Sequence, residues 1–165
     1  MAQFSFDIVS DYDKAEMNNV LDQTQRELTT RYDFKNTSAA AEWLNSEKTG
    51  IKIVGDSQYH LDAIADIFRK KLATRGQSQK VLDTSSEPTT TNLKMTWELP
   101  FKQGLDQDKA KKVTSLVRDT YPKAKTQIQG QEVRVTSASK DELQAIMQLL
   151  RSKDFDFPLS FTNFR

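Results

Sequence analysis

The stretch "IKIVGDSQYHLDAIADIFRKK", residues 51–71, lies over "VRVTSASKDELQAIMQLLRSK", residues 133–153, when the chain is slid along itself. Ser57, Leu61, Ala63, Ile64, Arg69 and Lys71 then meet Ser139, Leu143, Ala145, Ile146, Arg151 and Lys153. Each copy alternates β-branched residues, passes a capping serine, and continues with apolar residues at helical spacing. The pattern is a strand followed by an amphipathic helix. Amphipathic helices resemble one another, so these identities gain weight only from the order of elements around them.

That order repeats. Upstream, "FSFDIV" alternates Phe4, Phe6 and Ile8 onto one strand face. A helix opened by Ser10 and Asp11 follows, carrying Met17, Val20, Leu21, Thr24 and Leu28 on one stripe. Extended sequence from 31 to 45, a turn at "NSEKTG", the strand "IKIV" and a helix stopped by Gly76 come next. A short strand around "KVLD" closes this half. Downstream, Met95, Trp97 and Leu99 alternate toward Pro100, which indicates a bulge or an edge strand. A helix through Ala110, Val113, Leu116 and Val117 follows. "TQIQGQEVRV" reads as a hairpin, "SKDE" as a capping box, and "PLSFTNF" as the last strand. Each half is therefore β-α-β-β-α-β, and the fold class is α+β with two tandem ferredoxin-like domains. The Ser/Thr/Pro-rich run "LDTSSEPTTTN" suggests the division: domain 1 over 1–85, a linker over 86–92, and domain 2 over 93–165.

Composition narrows the function classes. Charged residues make up 28% and hydrophobic residues 36% of the chain, the balance of a globular protein with a highly solvated surface. No apolar run approaches the roughly 20 residues that cross a bilayer. The N-terminal sequence lacks the basic and apolar regions of a secretory leader, so cytoplasmic residence is expected. With no cysteine, disulfides and thiolate chemistry are excluded. His60 is the only histidine, placed near a helix start and expected to be solvated. No nucleophile–base order or paired-carboxylate spacing is present, so neither catalysis, metal nor cofactor is expected. The net charge of +1 conceals a mildly acidic first half and a mildly basic second half. The latter can attract an anion without resembling a dedicated duplex-DNA binder.

Several segments in fixed order carry a resemblance: "SFDIVS", "RYDFKN" at 31–36, "KQGL" at 102–105, "QIQGQEVRVTS" at 127–137, "DELQAIM" at 141–147 and the closing "FTNFR". None is a strong motif alone. Together the chain resembles the YajQ family nearly end to end. The resemblance implies two ferredoxin-like domains and a non-enzymatic nucleotide-binding role. Members have been described as binding nucleotides or RNA, and some as cyclic di-GMP receptors that signal to a transcriptional regulator.

The residues offer matching candidates, each beside a structural alternative. Strand alternation through "RYDFK" would set Arg31, Asp33 and Lys35 on an open sheet face and Tyr32 with Phe34 opposite, as core. Arg31 and Lys35 would hold phosphate oxygens, and Asp33 would orient Arg31 or accept from a guanine edge. In the tail, Phe161 would share a face with Asn163 and Arg165, stacking on a purine and bonding its edge. Lys102 and Gly104 precede a helix whose N–H groups favour an anion, although Asp106 and Asp108 already bring negative charge there. Gln127, Gln129, Glu132 and Arg134 line the polar side of the hairpin, as solvated surface or as a ligand face. Three functions follow: a nucleotide-binding protein for cyclic di-GMP, GTP or ATP that relays to a regulator; an RNA-binding module; or a protein-interaction adaptor without nucleotide.

Overall fold

The computed structural model describes residues 3–165. Along the chain the elements are β1 (Phe4–Val9), α1 (Lys14–Thr30), β2 (Ala40–Trp43), β3 (Gly50–Gly55), α2 (Gln58–Thr74), β4 (Thr89–Thr91), β5 (Lys94–Pro100), α3 (Gln107–Thr120), β6 (Lys125–Gln129), β7 (Glu132–Ser137), α4 (Lys140–Ser152) and β8 (Ser160–Thr162). The apolar stripes read on α1, α2 and α4 are the buried ones, whereas on α3 Leu116 is only half-buried and Thr114 is buried instead. Met17, Val20, Leu21, Thr24 and Leu28 lie on α1, and Leu143, Ile146, Met147 and Leu150 on α4. The repeated serines are equivalent N-caps: Ser57 accepts the His60 N–H and Ser139 the Glu142 N–H. The capping box is only half closed, because the Glu142 carboxylate accepts from the Ser137 hydroxyl. α1 begins later than expected, with Asp13 accepting from the Ala15 and Glu16 N–H groups.

The two sheets, both antiparallel, have strand orders β6-β7-β1-β8 and β2-β3-β5-β4. The α+β class with two ferredoxin-like domains is what the chain forms. Its division differs from the expected one. One unit comprises the chain up to Asp11 with Gln103–Arg165, and the other Tyr12–Lys102. β1 does not join β3; it pairs with β7 through Phe6↔Val135 and with β8 through Ile8↔Phe161. That unit runs β1-α3-β6-β7-α4-β8, the complete split βαβ order. The other starts on a helix, and β5 fills the position that β1 occupies in the first. It is a circular permutation of the same fold, inserted between β1 and α3.

Segment 86–92, expected as a linker, folds into the inserted unit. Thr89–Thr91 pair with β5 as an edge strand, and the Trp97 indole donates to Ser86 O at 2.7 Å. The "KVLD" strand is instead a 3-10 turn over Gln79–Val81, with a single bridge from Leu82 to Phe101. Pro100 causes no bulge; it ends the inner strand β5 opposite Gly50. A Cβ on Gly50 would meet the Pro100 backbone at 2.6 Å, so glycine permits that approach.

Each unit has its own apolar core. Ile51, Ile53, Phe68 and Leu99 are at the centre of one, and Phe6, Ile8, Val113 and Phe157 of the other. No helix among the described residues is long and apolar enough to cross a membrane. The β4–β5 turn places Asn92 at φ 51° and Leu93 at φ 66°, a pairing that favours Asn-Gly. Leu93 is 91% exposed, so no packing offsets its left-handed backbone. Leu93→Gly is expected to raise unfolding stability by about 0.5–1 kcal/mol in a denaturant melt.

Candidate functional site

Strand β1 places Asp7 on the sheet face opposite α3 and α4. Phe6 and Ile8 turn into the core, and Asp7 points the other way. Cross-strand register fixes its neighbours, since directly opposed residues share a face. Asp7 opposes Arg134 on β7, Arg134 opposes Gln127 on β6, and Glu132 opposes Gln129. The Arg134 fork grips the Asp7 carboxylate with Nε to Oδ1 at 2.9 Å and Nη2 to Oδ2 at 3.3 Å. Asn163 Nδ2 donates to Oδ2 at 2.8 Å.

The tail reaches this face through a bulge. Thr162 opposes Asp7 in regular register. Ser5 and Arg165 then exchange both backbone bonds, so Asn163 and Phe164 together oppose Phe6. Asn163 absorbs the extra residue at φ 58°, a conformation asparagine tolerates. The bulge resets the alternation. Asn163 is brought to Asp7, while Phe164 stacks on Phe6 at 6.1 Å between ring centroids. Phe161 therefore does not share a face with Asn163. It opposes Ile8, meets Phe6 edge-on, and lies under the Arg151 guanidinium on the helix side.

Electrostatics follow the geometry. The Arg134 fork holds the Asp7 carboxyl below the usual carboxylate range, against burial that pushes it up. The Asn163 bond and the charges of Arg134 and Arg165 act in the same direction as the fork. Arg134 is raised in turn. Asp7 is the residue that the sequence reading missed. A lone acid in an apolar strand carries no signal of its own; only the pairing of β1 with β7, 127 residues away, reveals its role.

Arg31, Asp33, Lys35 and Lys102 belong to the inserted unit. "RYDFK" is not a strand: Tyr32–Phe34 form a 3-10 turn, so alternation does not apply. Phe34 is buried, as expected for a core residue, but Tyr32 is 88% exposed. Arg31 is bidentate to Asp33, at 3.0 and 2.7 Å, and lies over the Phe34 ring. That fork holds the Asp33 carboxyl low, with a contribution from the Tyr59 hydroxyl, which donates to it at 3.2 Å. Lys35 is not beside them on a shared sheet face; it borders a groove with Leu28, Phe34 and Ala39. Lys102 donates its N–H to Val81 O at 2.7 Å. The start of α3 is already capped by Asp106 and carries Asp108 in its first turn, so it offers little to an anion. His60 is buried rather than solvated, its Nδ1 accepting the Asp56 N–H at 2.9 Å. Among the described residues no group of three or more His, Asp or Glu is arranged to hold a metal ion.

Comparison with known proteins gives one family. The model described as "Nucleotide-binding protein YajQ-like" matches residues 4–165. A "Nucleotide-binding protein" of Nocardioides is 43% identical, with all of both chains covered. Another from Trichodesmium erythraeum is 42% identical over 98% of this chain and 97% of its own. One from Proteus mirabilis is 42% identical over 98% of each. A family match from β1 to the last residue, with relatives this similar over their whole length, means that this chain belongs to the YajQ-like family.

Proposed function

We propose that this chain is a non-enzymatic nucleotide-binding protein whose ligand lies on the β6-β7-β1-β8 face. The observation that carries the reading is the Asp7–Arg134–Asn163 cluster, with Arg165 close enough to act on Asp7. The fork uses Nε and Nη2 of Arg134 and leaves its Nη1 edge for a phosphate oxygen. Asp7 neutralises part of the charge but fixes the guanidinium's orientation. Arg165 adds a second cation, and Gln127 and Gln129 supply amides that can bond base edges. Two cations beside amides suit a ligand with two phosphates, and cyclic di-GMP is the specific nucleotide proposed, relayed through a transcriptional regulator. Residues 5, 7 and 9 of β1 and 132, 134 and 136 of β7 on this face include no aromatic residue, so stacking of single-stranded RNA has no platform on them.

Titration calorimetry of the full chain with cyclic di-GMP, GTP, ATP and a single-stranded RNA tests this. Cyclic di-GMP is expected to bind with an affinity that falls only shallowly with salt, because a dinucleotide has no condensed counterion atmosphere to release. No heat with any nucleotide, or RNA alone binding with a much steeper slope, overturns the reading.

A further inference from the structure

Strand β2 ends its sheet, with β3 on one side and no strand among the described residues on the other. The Leu44 N–H donates to Gly50 O, so Leu44, Glu42 and Ala40 turn their backbone groups toward β3. Alternation then aims those of Ala39, Ala41 and Trp43 outward. Two contacts agree with this. The Ala39 N–H donates to the Thr37 hydroxyl at 3.2 Å, and Ala41 O accepts from Gln25 Nε2 at 2.7 Å. Ala39 O and the Ala41 N–H are left without a hydrogen-bond partner among the described residues. Small alanine side chains leave this edge bare, where an edge is commonly guarded by charge or proline. Beside it runs a groove of about 440 Å³ against α1, floored by the buried Leu28, Phe34 and Ala41 and rimmed by the exposed Lys35.

We infer that this edge takes an extended peptide segment of a protein partner as an added parallel strand, with apolar side chains in the groove. The direction follows from which groups are left. An antiparallel neighbour exchanges both bonds with one residue, yet Ala39 and Ala41 each have one of their two groups taken. A residue of a parallel neighbour instead bonds the C=O and N–H that flank the residue opposite it. Ala39 O and the Ala41 N–H flank Ala40 in that way. The same argument excludes a second copy of this chain, because a twofold axis that continues one sheet across two copies pairs the β2 strands antiparallel. The peptide residue opposite Ala40 lies on the open face, so its two neighbours enter the groove. The turn bearing Lys35 precedes β2, and its ammonium suits a carboxylate near the start of a parallel peptide. The partner segment therefore reads acid-x-apolar-x-apolar. The inference concerns the inserted unit alone and does not depend on the nucleotide reading.

The test uses the full chain, without nucleotide, and the peptide acetyl-ETLTVT-amide, whose second threonine would lie opposite Ala40. The peptide is expected to protect the Ala41 amide from hydrogen exchange. A spin label on its first residue should broaden the Ala39 amide signal more than that of Trp43. N-methylation of the second threonine removes the donor to Ala39 O and should weaken binding about 10-fold. Lys35→Glu should weaken it about 5-fold, the worth of one exposed ion pair, and a peptide with lysine in place of the glutamate should recover that loss. An Ala41 amide that stays unprotected, stronger broadening at Trp43, or an N-methylated peptide that binds as well as its parent overturns the inference. So does protection of Ala41 that grows with protein concentration alone, which would assign the edge to a second copy.

Discussion

A fragment spanning residues 12–102 is expected to unfold in one cooperative transition, whereas a fragment of residues 1–85 is expected to show none. The longer-starting piece contains β2, β3, β5 and β4 with both covering helices and the whole first core. The other carries β1 without β7 or β8, and it lacks β5, which lies between β3 and β4. Removing an inner strand strips β3 of one ladder and uncovers Ile51, Ile53 and Phe68. A sheet reduced to β2 and β3 is marginal at best. Denaturant melts of the two fragments by circular dichroism separate the alternatives, and a cooperative melt of 1–85 would refute the inserted-unit topology.

The second large effect concerns Asp7. Asp7→Ala removes the acceptor of three hydrogen bonds from a position only 4% exposed, and strands Arg134 and Asn163. The expected loss is about 2 kcal/mol of unfolding stability, since the partners keep some access to water. The pH dependence has a definite sign. The folded carboxyl titrates below its unfolded value, so its contribution is present above the unfolded value of about 3.9 and is lost as pH falls through the folded one. Asp7→Asn should therefore flatten the acid limb of the stability profile below about pH 4. A limb as steep as that of the parent protein would mean that the pair contributes nothing to acid sensitivity.

Periodicity made much of this fold legible. The stripes of α1 and α4 and the alternation of β1 and β7 depend on local spacing, and each formed where that spacing placed it. Pairing is not local. Phe4, Phe6 and Ile8 state that β1 is a strand with one buried face, but nothing in them names β7 as its neighbour. The duplication suggested two halves in succession, and only the sheet orders show one half permuted and inserted into the other. Thr89–Thr91 resembled a linker because threonine and proline mark loops, although threonine is also a good edge-strand residue.

The candidate site was legible in part for similar reasons. Of the candidates Arg134, Gln129, Asn163 and Arg165, drawn from separate segments, the structure gathers Arg134, Asn163 and Arg165 around Asp7. Phe161 was placed on the wrong face because one left-handed residue, Asn163, shifts the alternation by one. Arg31 and Lys35 were joined by a strand pattern that the 3-10 turn at Tyr32–Phe34 does not follow. A single positive φ or a single turn is invisible to a periodic reading.

The nucleotide is proposed to lie on the Asp7–Arg134–Arg165 face. Titration of cyclic di-GMP into the R134A/R165A variant, beside the parent protein and at equal ionic strength, tests it most directly. The variant keeps both cores and both sheets, so its melting curve should stay cooperative. Affinity should fall by about 10-fold or more, the loss expected for removing charged partners of phosphate. Unchanged affinity in a folded variant would contradict it.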